Sequence, residues 1–316
     1  MKKTSMQRQL ERNFDSAELV GNVHVGRHGV AKRNANGVGS MDILDDEKIL
    51  GNGNTTVTNL YEHGNRSASL IKARGYNAAN TFVYHSPMKR TNKTAIAVAL
   101  GRRDTSGLFG AKPRLVSDLE SELAQKHLEQ VKVVKQNDLG YDKIKMNPEA
   151  FKRGEAYYFE EWAGNPNSSQ LDGVEVTPYN HMIGMGDEML LRIYNEVING
   201  RPDGVVISHG TIAEAIHMAA LNSTNPDTRE NMRRMGGGYS MEDSSVINFY
   251  QVEKSGYNGL VATIRRETKN GQPVEGEEVI IRLGRVKEDL QYRIKKGIYN
   301  SQSEDTTEMA EQAFAI

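Results

Sequence analysis

Apolar residues in this chain gather into short runs, and each of the clearest runs ends in polar residues followed by a glycine or proline. Three such runs are Val23–Gly26, Thr81–His85 and Val205–Ser208. Short apolar runs rich in β-branched and aromatic residues, bounded by turn residues, are typical of buried strands. The pattern therefore predicts three core strands, each of which delivers polar side chains to a loop at its carboxyl end.

Segments with helical spacing alternate with these strands. They predict helices over Thr58–Arg74, over Arg90–Leu100 with Gly101 closing the helix, over Gly186–Val197 and over Thr211–Leu221. A repeated strand, loop and helix order favours a largely parallel sheet that is covered by helices. The predicted fold class is α/β, a three-layer α/β/α sandwich with a mostly parallel central sheet and helices on both faces.

The remaining segments are more polar. Residues 30–56 and the passage after Asn222 read as loops, and the second half of 115–135 reads as helical. Further strands are expected over Ser245–Val252, Leu260–Arg266 and Glu278–Leu283, with a helix over Arg285–Ile298. The predicted organisation is an N-terminal extension (1–20) with a short helix, an α/β domain (21–265) with an inserted cap or loop region around 137–180, and a C-terminal extension (266–316).

Charge and composition narrow the function classes. The chain of 316 residues holds 40 basic and 41 acidic residues, a net charge of −1, so no overall field favours nucleic acid or a membrane as partner. It has no cysteine, which excludes disulfides, thiolate nucleophiles and cysteine-ligated metals. The basic start lacks the apolar centre of a signal peptide. We therefore expect a soluble, cytoplasmic protein that needs no metal and no other cofactor.

The polar residues at the three strand ends suit a phosphate ligand. They are Arg27-His28-Gly29, Ser86-Pro87-Met88-Lys89-Arg90 and Ser208-His209-Gly210. In open α/β sheets, ligands bind where the carboxyl ends of strands meet. Arginine binds phosphate oxygens through two parallel hydrogen bonds, and a neutral imidazole can attack phosphorus. The sequence thus predicts an anion site with two arginines and two histidines.

These residues also carry a resemblance to a known family. The chain resembles the histidine phosphatase superfamily, the phosphoglycerate-mutase-like proteins, whose signature is Arg-His-Gly at the end of the first strand. Ser86-Pro87-Met88-Lys89-Arg90-Thr91-Asn92-Lys93-Thr94-Ala95 and Val206-Ile207-Ser208-His209-Gly210-Thr211 are similar to two further family patterns. The resemblance covers roughly residues 20–265.

The resemblance implies roles for individual residues. His28 would be the nucleophile that becomes phosphorylated, Arg27 and Arg90 would bind the phosphoryl oxygens, His209 would donate a further hydrogen bond, and Asn34 would contact the phosphate at the loop rim. The acid that protonates the leaving oxygen is assigned to Glu120. Asp118, Glu122 and the pair Glu160-Glu161 are the alternatives for that acid.

The expected function is a phosphatase that hydrolyses phosphomonoesters through phosphohistidine on a small phosphorylated substrate. A mutase that transfers the phosphoryl group to a second hydroxyl is one alternative. A catalytically weak protein that binds phosphorylated ligands or protein partners is another. The sequence does not reveal which phosphoester is the substrate or whether the chain forms a homo-oligomer.

Overall fold

The computed structural model describes residues 5–33, 39–43, 56–68, 80–103, 112–129, 131–136, 139, 161–171, 173–175, 177–267 and 278–301. Its strands are β1 (Ser16–Arg27), β2 (Ala31–Arg33), β3 (Gly39–Ile43), β4 (Thr81–His85), β5 (Lys132–Lys135), β6 (Gln170–Leu171), β7 (Val174–Glu175), β8 (Asp203–Ser208), β9 (Ser244–Lys254), β10 (Tyr257–Glu267) and β11 (Val279–Ile281).

A mixed sheet of seven strands forms the centre of the fold, in the order β11-β10-β9-β1-β8-β4-β5. The neighbours β1, β8, β4 and β5 run parallel, and β9, β10 and β11 continue the sheet in antiparallel pairs beyond β1. Arg27 lies opposite Ser208, and His85 lies opposite Ile207. The carboxyl ends of β1, β8 and β4 therefore share one edge of the sheet.

Helices cover both faces of the sheet. They are α1 (Ser5–Leu10), α2 (Thr56–Ser67), α3 (Lys89–Arg103), α4 (Glu122–Leu128), α5 (Tyr179–Ile198), α6 (Gly210–Asn222), α7 (Thr228–Met235) and α8 (Leu283–Lys295). Alternate residues of a strand point to opposite faces. Val206 accordingly joins the core beneath α5, α6 and α8, whereas Val205 and Ile207 pack with α2 and α3. The predicted α/β sandwich is confirmed.

Several predicted boundaries were wrong. β1 begins at Ser16 within the segment predicted as an extension, and α5 begins at Tyr179, because Met182 and Ile183 are buried and extend its apolar side. Gly101 lies inside α3 and does not close it. A side chain there would collide with the backbone of Tyr61 on α2, so glycine allows the two helices to approach closely.

Other elements were missed in sequence segments that carry a weak apolar signal. β5 is a four-residue edge strand whose sequence Lys-Val-Val-Lys lies within a segment predicted as helical. α7 lies in a passage predicted as loop; Asp227 caps its start and Gly236 ends it in the left-handed conformation. Short β2 and β3 pair within the predicted 30–56 loop. Trp162, in the predicted 137–180 insertion, is fully buried in the main core.

No helix among the described residues is both long and apolar enough to cross a membrane.

Candidate active site

Three predicted site residues follow the ends of neighbouring parallel strands. His28 comes after β1, His209 comes after β8 and precedes α6, and Arg90 lies in the first turn of α3 after β4. The rings of His28 and His209 are both buried, with centroids 5.3 Å apart and ring planes at 72°. The structure thus brings these side chains together at one edge of the sheet.

One hydrogen bond sets the tautomer of His28. Its Nδ1 lies 2.7 Å from the carbonyl oxygen of Gly29. A carbonyl oxygen only accepts hydrogen bonds, so Nδ1 carries the proton and donates it. In the neutral ring, the lone pair is then on Nε2. Nε2 is therefore the ring atom whose lone pair can attack an electrophile.

The surroundings of His28 keep the ring neutral. Burial, followed by the guanidinium of Arg90, lowers the pKa of His28 to about 3, although the hydrogen bond to Gly29 acts in the opposite direction. Removal of the ring from water disfavours the charged form, and nearby cations do the same. The Nε2 lone pair is therefore available throughout the neutral pH range.

Two arginines supply positive charge next to the rings. Arg90 Nη2 lies 3.5 Å from His209 Nδ1, and the buried Nε of Arg90 has no hydrogen-bond partner among the described residues. No carboxylate in the described part of the chain pairs with Arg90 either. Arg27 is the last residue of β1, and its Nη1 donates to the carbonyl oxygen of Tyr239 at 2.6 Å. Partly buried cations of this kind favour an anionic ligand.

His209 is held by its own set of contacts. Its Nε2 lies 3.1 Å from the hydroxyl oxygen of Ser86. Burial, followed by the charges of His28, Arg90 and Arg27, holds the pKa of His209 well below its usual value. His209 also precedes α6, whose first backbone N–H groups attract negative charge. Because the Arg90 guanidinium only donates, Nδ1 of a neutral His209 accepts from it, and Nε2 carries the proton that faces the Ser86 hydroxyl. His209 can donate to a bound phosphoryl oxygen when that oxygen replaces the Ser86 hydroxyl as acceptor.

Thr94, which belongs to the Ser86–Ala95 pattern, connects two parts of the site. Its hydroxyl accepts a hydrogen bond from the backbone N–H of Gly29 at 2.9 Å and donates to the carbonyl of Arg90 at 2.8 Å. Thr94 thereby links the residue after His28 to the helix that carries Arg90. Its spacing of four residues from Arg90, one helical turn, is the sequence signal for this contact.

The carboxylate chosen as general acid does not lie in a suitable environment. The Glu120 side chain is 59% exposed and pairs with Lys93, and this contact lowers the pKa of Glu120. A general acid needs a raised pKa near the working pH. Asp118 accepts hydrogen bonds from the backbone N–H groups of Arg114 and Leu115, which gives it a structural role. The geometry therefore argues against Glu120 and Asp118.

Of the four remaining predicted residues, two are exposed and two lie outside the described residues. Glu122 is exposed at the start of α4, and Glu161 is exposed as well. Asn34 and Glu160 lie outside the described residues. The roles that the family resemblance implies for these four residues stay predictions.

The remaining buried histidines near the sheet have structural contacts. His24 packs edge-on against His63 with ring centroids 4.8 Å apart, and His63 Nε2 lies 3.3 Å from the Glu267 carboxylate. His85 repeats the local geometry of His28, because its Nδ1 lies 2.7 Å from the Ser86 carbonyl, but its Nε2 is engaged by Asn92 at 3.1 Å. No cluster of His, Asp and Glu among the described residues has the arrangement that holds a metal ion.

Comparison with known proteins gives distant structural neighbours only. No family model matches the sequence, and no curated protein matches it. A phytase from D. castellii is 13% identical with a TM-score of 0.46, over 89% of this chain and 80% of that one. A phytase from Klebsiella sp ASR1 is 13% identical with a TM-score of 0.43, over 90% and 96% of the two chains.

A third neighbour is a phosphoserine phosphatase from Entamoeba histolytica, solved in complex with 3-phosphoglyceric acid. It is 14% identical with a TM-score of 0.34, over 83% of this chain and 98% of that one. The three neighbours share 13–14% of their residues with this chain, with TM-scores of 0.34–0.46. At such identities and TM-scores they assign no function, which has to rest on the residues of the site.

Proposed function

We propose that the chain is a phosphatase that hydrolyses phosphomonoesters through a phosphohistidine intermediate on His28. The observation that carries this proposal is the hydrogen bond from His28 Nδ1 to the Gly29 carbonyl, which leaves the Nε2 lone pair available. Arg27, Arg90 and His209 lie close to the His28 ring, and their N–H groups are suitable donors for phosphoryl oxygens. Phosphoryl transfer depends mainly on such positioning and charge stabilisation.

The reaction then has two steps. In the first, His28 Nε2 forms a bond to phosphorus while the bond from phosphorus to the ester oxygen breaks, and an acid supplies a proton to the leaving alcohol. In the second, water attacks phosphorus, its proton returns to that acid, and the phosphorus–nitrogen bond breaks. Inorganic phosphate leaves, and the lone pair returns to His28.

The ion pair of Glu120 favours one second candidate. If no other group acts as the acid, the chain would bind phosphorylated ligands at this site and turn them over very slowly. Such a protein would keep its affinity for phosphate, because Arg27, Arg90 and His209 do not depend on Glu120.

A substrate panel separates the two candidates. Initial rates on aryl, sugar and amino-acid phosphomonoesters are measured for the wild type, for His28→Asn and for His85→Asn. The phosphatase proposal expects hydrolysis that falls by about 10⁴-fold or more in His28→Asn. His85→Asn removes a histidine of the same local geometry and should keep most of the activity. Absence of hydrolysis in the wild type, with phosphate still bound, would favour the ligand-binding candidate.

A further inference from the structure

Arg27 is held in place by the loop that follows α7, residues 236–243, here named the anchor loop. The backbone N–H of Arg27 donates to the carbonyl of Asp243 at 2.9 Å, and its Nη1 donates to the carbonyl of Tyr239 at 2.6 Å. The N–H of Glu242 also lies 3.4 Å from the carbonyl of His28. The position of the anchor loop therefore determines where Arg27 points.

The anchor loop has a backbone that needs support from outside. Gly236 and Gly237 have φ angles of 78° and 81°, and Glu242, which is not a glycine, has a φ of 70°. Glycine has more conformational freedom in the unfolded chain than other residues, so fixing Gly236 and Gly237 in one conformation costs more entropy. A residue other than glycine keeps a left-handed conformation only where its surroundings enforce it. Other groups must therefore hold this loop in its observed shape.

Arg266 on β10 supplies that support. Its guanidinium is mostly buried and makes five hydrogen bonds to the end of α7 and to the anchor loop. The acceptors are the carbonyl oxygens of Met235 (3.1 Å), Gly236 (2.9 Å), Gly237 (2.7 Å) and Gly238 (2.7 Å) and the carboxylate of Asp243 (2.7 Å). Only the planar arginine head offers enough donors in one fixed geometry for this set.

Tyr239, whose carbonyl accepts from Arg27, is fixed by the same arrangement. The Arg266 guanidinium lies 4.5 Å from the centroid of the Tyr239 ring. The Tyr239 hydroxyl lies 2.8 Å from His217 Nδ1, and its backbone N–H donates to the carboxylate of Glu214. Both of these partners lie on α6, the helix that begins beside His209. The anchor loop is thus tied to two elements of the site.

We propose that Arg266 is a positioning residue of the phosphate site. It holds the anchor loop so that the carbonyls of Tyr239 and Asp243 fix Arg27 beside His28. Arg266 itself does not touch the substrate. This inference rests on the proposed function only in so far as Arg27 binds a phosphoryl group.

Calorimetric titration with inorganic phosphate tests the proposal without any turnover. The variants are Arg266→Met and Arg266→Lys, with Arg265→Met as the matched control. Arg265 is the preceding residue of β10 and donates to Glu267 at 2.7 Å, away from the anchor loop. We expect phosphate to bind about 10²-fold more weakly to Arg266→Met, since small displacements of a positioning group have effects of that order. Arg265→Met should bind like the wild type.

A double-mutant cycle with Arg27→Lys distinguishes positioning from general loosening of the fold. If Arg266 acts through Arg27, the double variant Arg27→Lys/Arg266→Met loses no more affinity than Arg27→Lys alone. Additive losses would overturn the proposal. If Arg266→Met does not fold, the same cycle is run with Arg266→Lys, which retains the charge. Wild-type phosphate affinity in folded Arg266→Lys would also overturn the proposal.

The two proposals fail in different ways. Suppose that the wild type hydrolyses no phosphoester but binds phosphate, and that this binding is lost in the Arg266 variants. That outcome contradicts the phosphatase proposal and supports the positioning role of Arg266. Hydrolysis by the wild type together with unchanged phosphate affinity in the folded Arg266 variants contradicts this one alone.

Discussion

The ring of His28 meets the ring of His209 edge to face, with centroids 5.3 Å apart at the ends of two adjacent parallel strands. Both pKa values are lowered, primarily by burial, so neither ring repels the other with a charge. One neutral histidine can then act as nucleophile while the other donates a hydrogen bond. This division of roles depends on the partner of each ring nitrogen. Replacement of either residue is expected to lower turnover, and the loss should be larger for His28.

Replacement of His209 tests its role as a donor. In His209→Gln, kcat is expected to fall by about 10²–10³-fold, the usual effect of losing one donor to a developing charge, with a much smaller change in KM. Steady-state kinetics on the best substrate of the panel measure both constants. Ser86→Ala, which removes the 3.1 Å contact to His209 Nε2, should give a milder loss in the same direction. An unchanged kcat in His209→Gln would contradict the assignment.

Replacement of Glu120 tests whether this residue is the general acid. Because its exposed carboxylate pairs with Lys93 and its pKa is lowered, Glu120→Gln should leave kcat within about threefold of the wild type, as expected for a surface ion pair. Lys93→Gln is the reciprocal control. A loss of kcat by 10²-fold or more in Glu120→Gln, without a matching loss in Lys93→Gln, would restore Glu120 as the acid.

The neutral state of His28 predicts how stability depends on pH. The native pKa is about 3, whereas the unfolded chain titrates near 6.5, so the unfolded state binds the proton first as pH falls. The stabilisation is fully present above pH 6.5 and is lost as pH falls from there towards 3. As pH falls from 7 to 5, protonation of His28 in the unfolded chain should lower the free energy of unfolding by about 2 kcal/mol.

Urea unfolding at a series of pH values measures this dependence. The His28→Asn variant lacks the titrating ring, and its unfolding free energy should fall less steeply between pH 7 and pH 5. Equal slopes for wild type and variant would show that His28 is not buried in its neutral form.

Much of the site could be predicted from the sequence because its residues follow directly from strand ends. β4 was predicted with its observed bounds, and the shared edge of β1, β8 and β4 follows from the rule for parallel sheets. His28, Arg90 and His209 needed no knowledge of distant contacts to be singled out.

The parts that were missed depend on contacts between residues far apart in the chain. Arg266 donates to carbonyl oxygens about 30 residues away in the chain. Every residue has a backbone carbonyl, so the sequence does not indicate which ones accept these hydrogen bonds. Glu120 lies within the expected stretch, but only the structure reveals that Lys93 neutralises it. Glycine often ends a helix, so its residue type alone predicted that Gly101 closes α3. In the structure, Gly101 permits the close contact between α3 and α2.

Trapping of the covalent intermediate tests the central proposal most directly. The wild type is mixed with a phosphomonoester that carries a labelled phosphoryl group, quenched with alkali within milliseconds, and analysed by peptide mapping. The proposal predicts a label that is stable in alkali, is lost in acid and resides on His28, with His28→Asn unlabelled and His85→Asn labelled normally. Hydrolysis that proceeds with no labelled enzyme, or with the label on another residue, would contradict it.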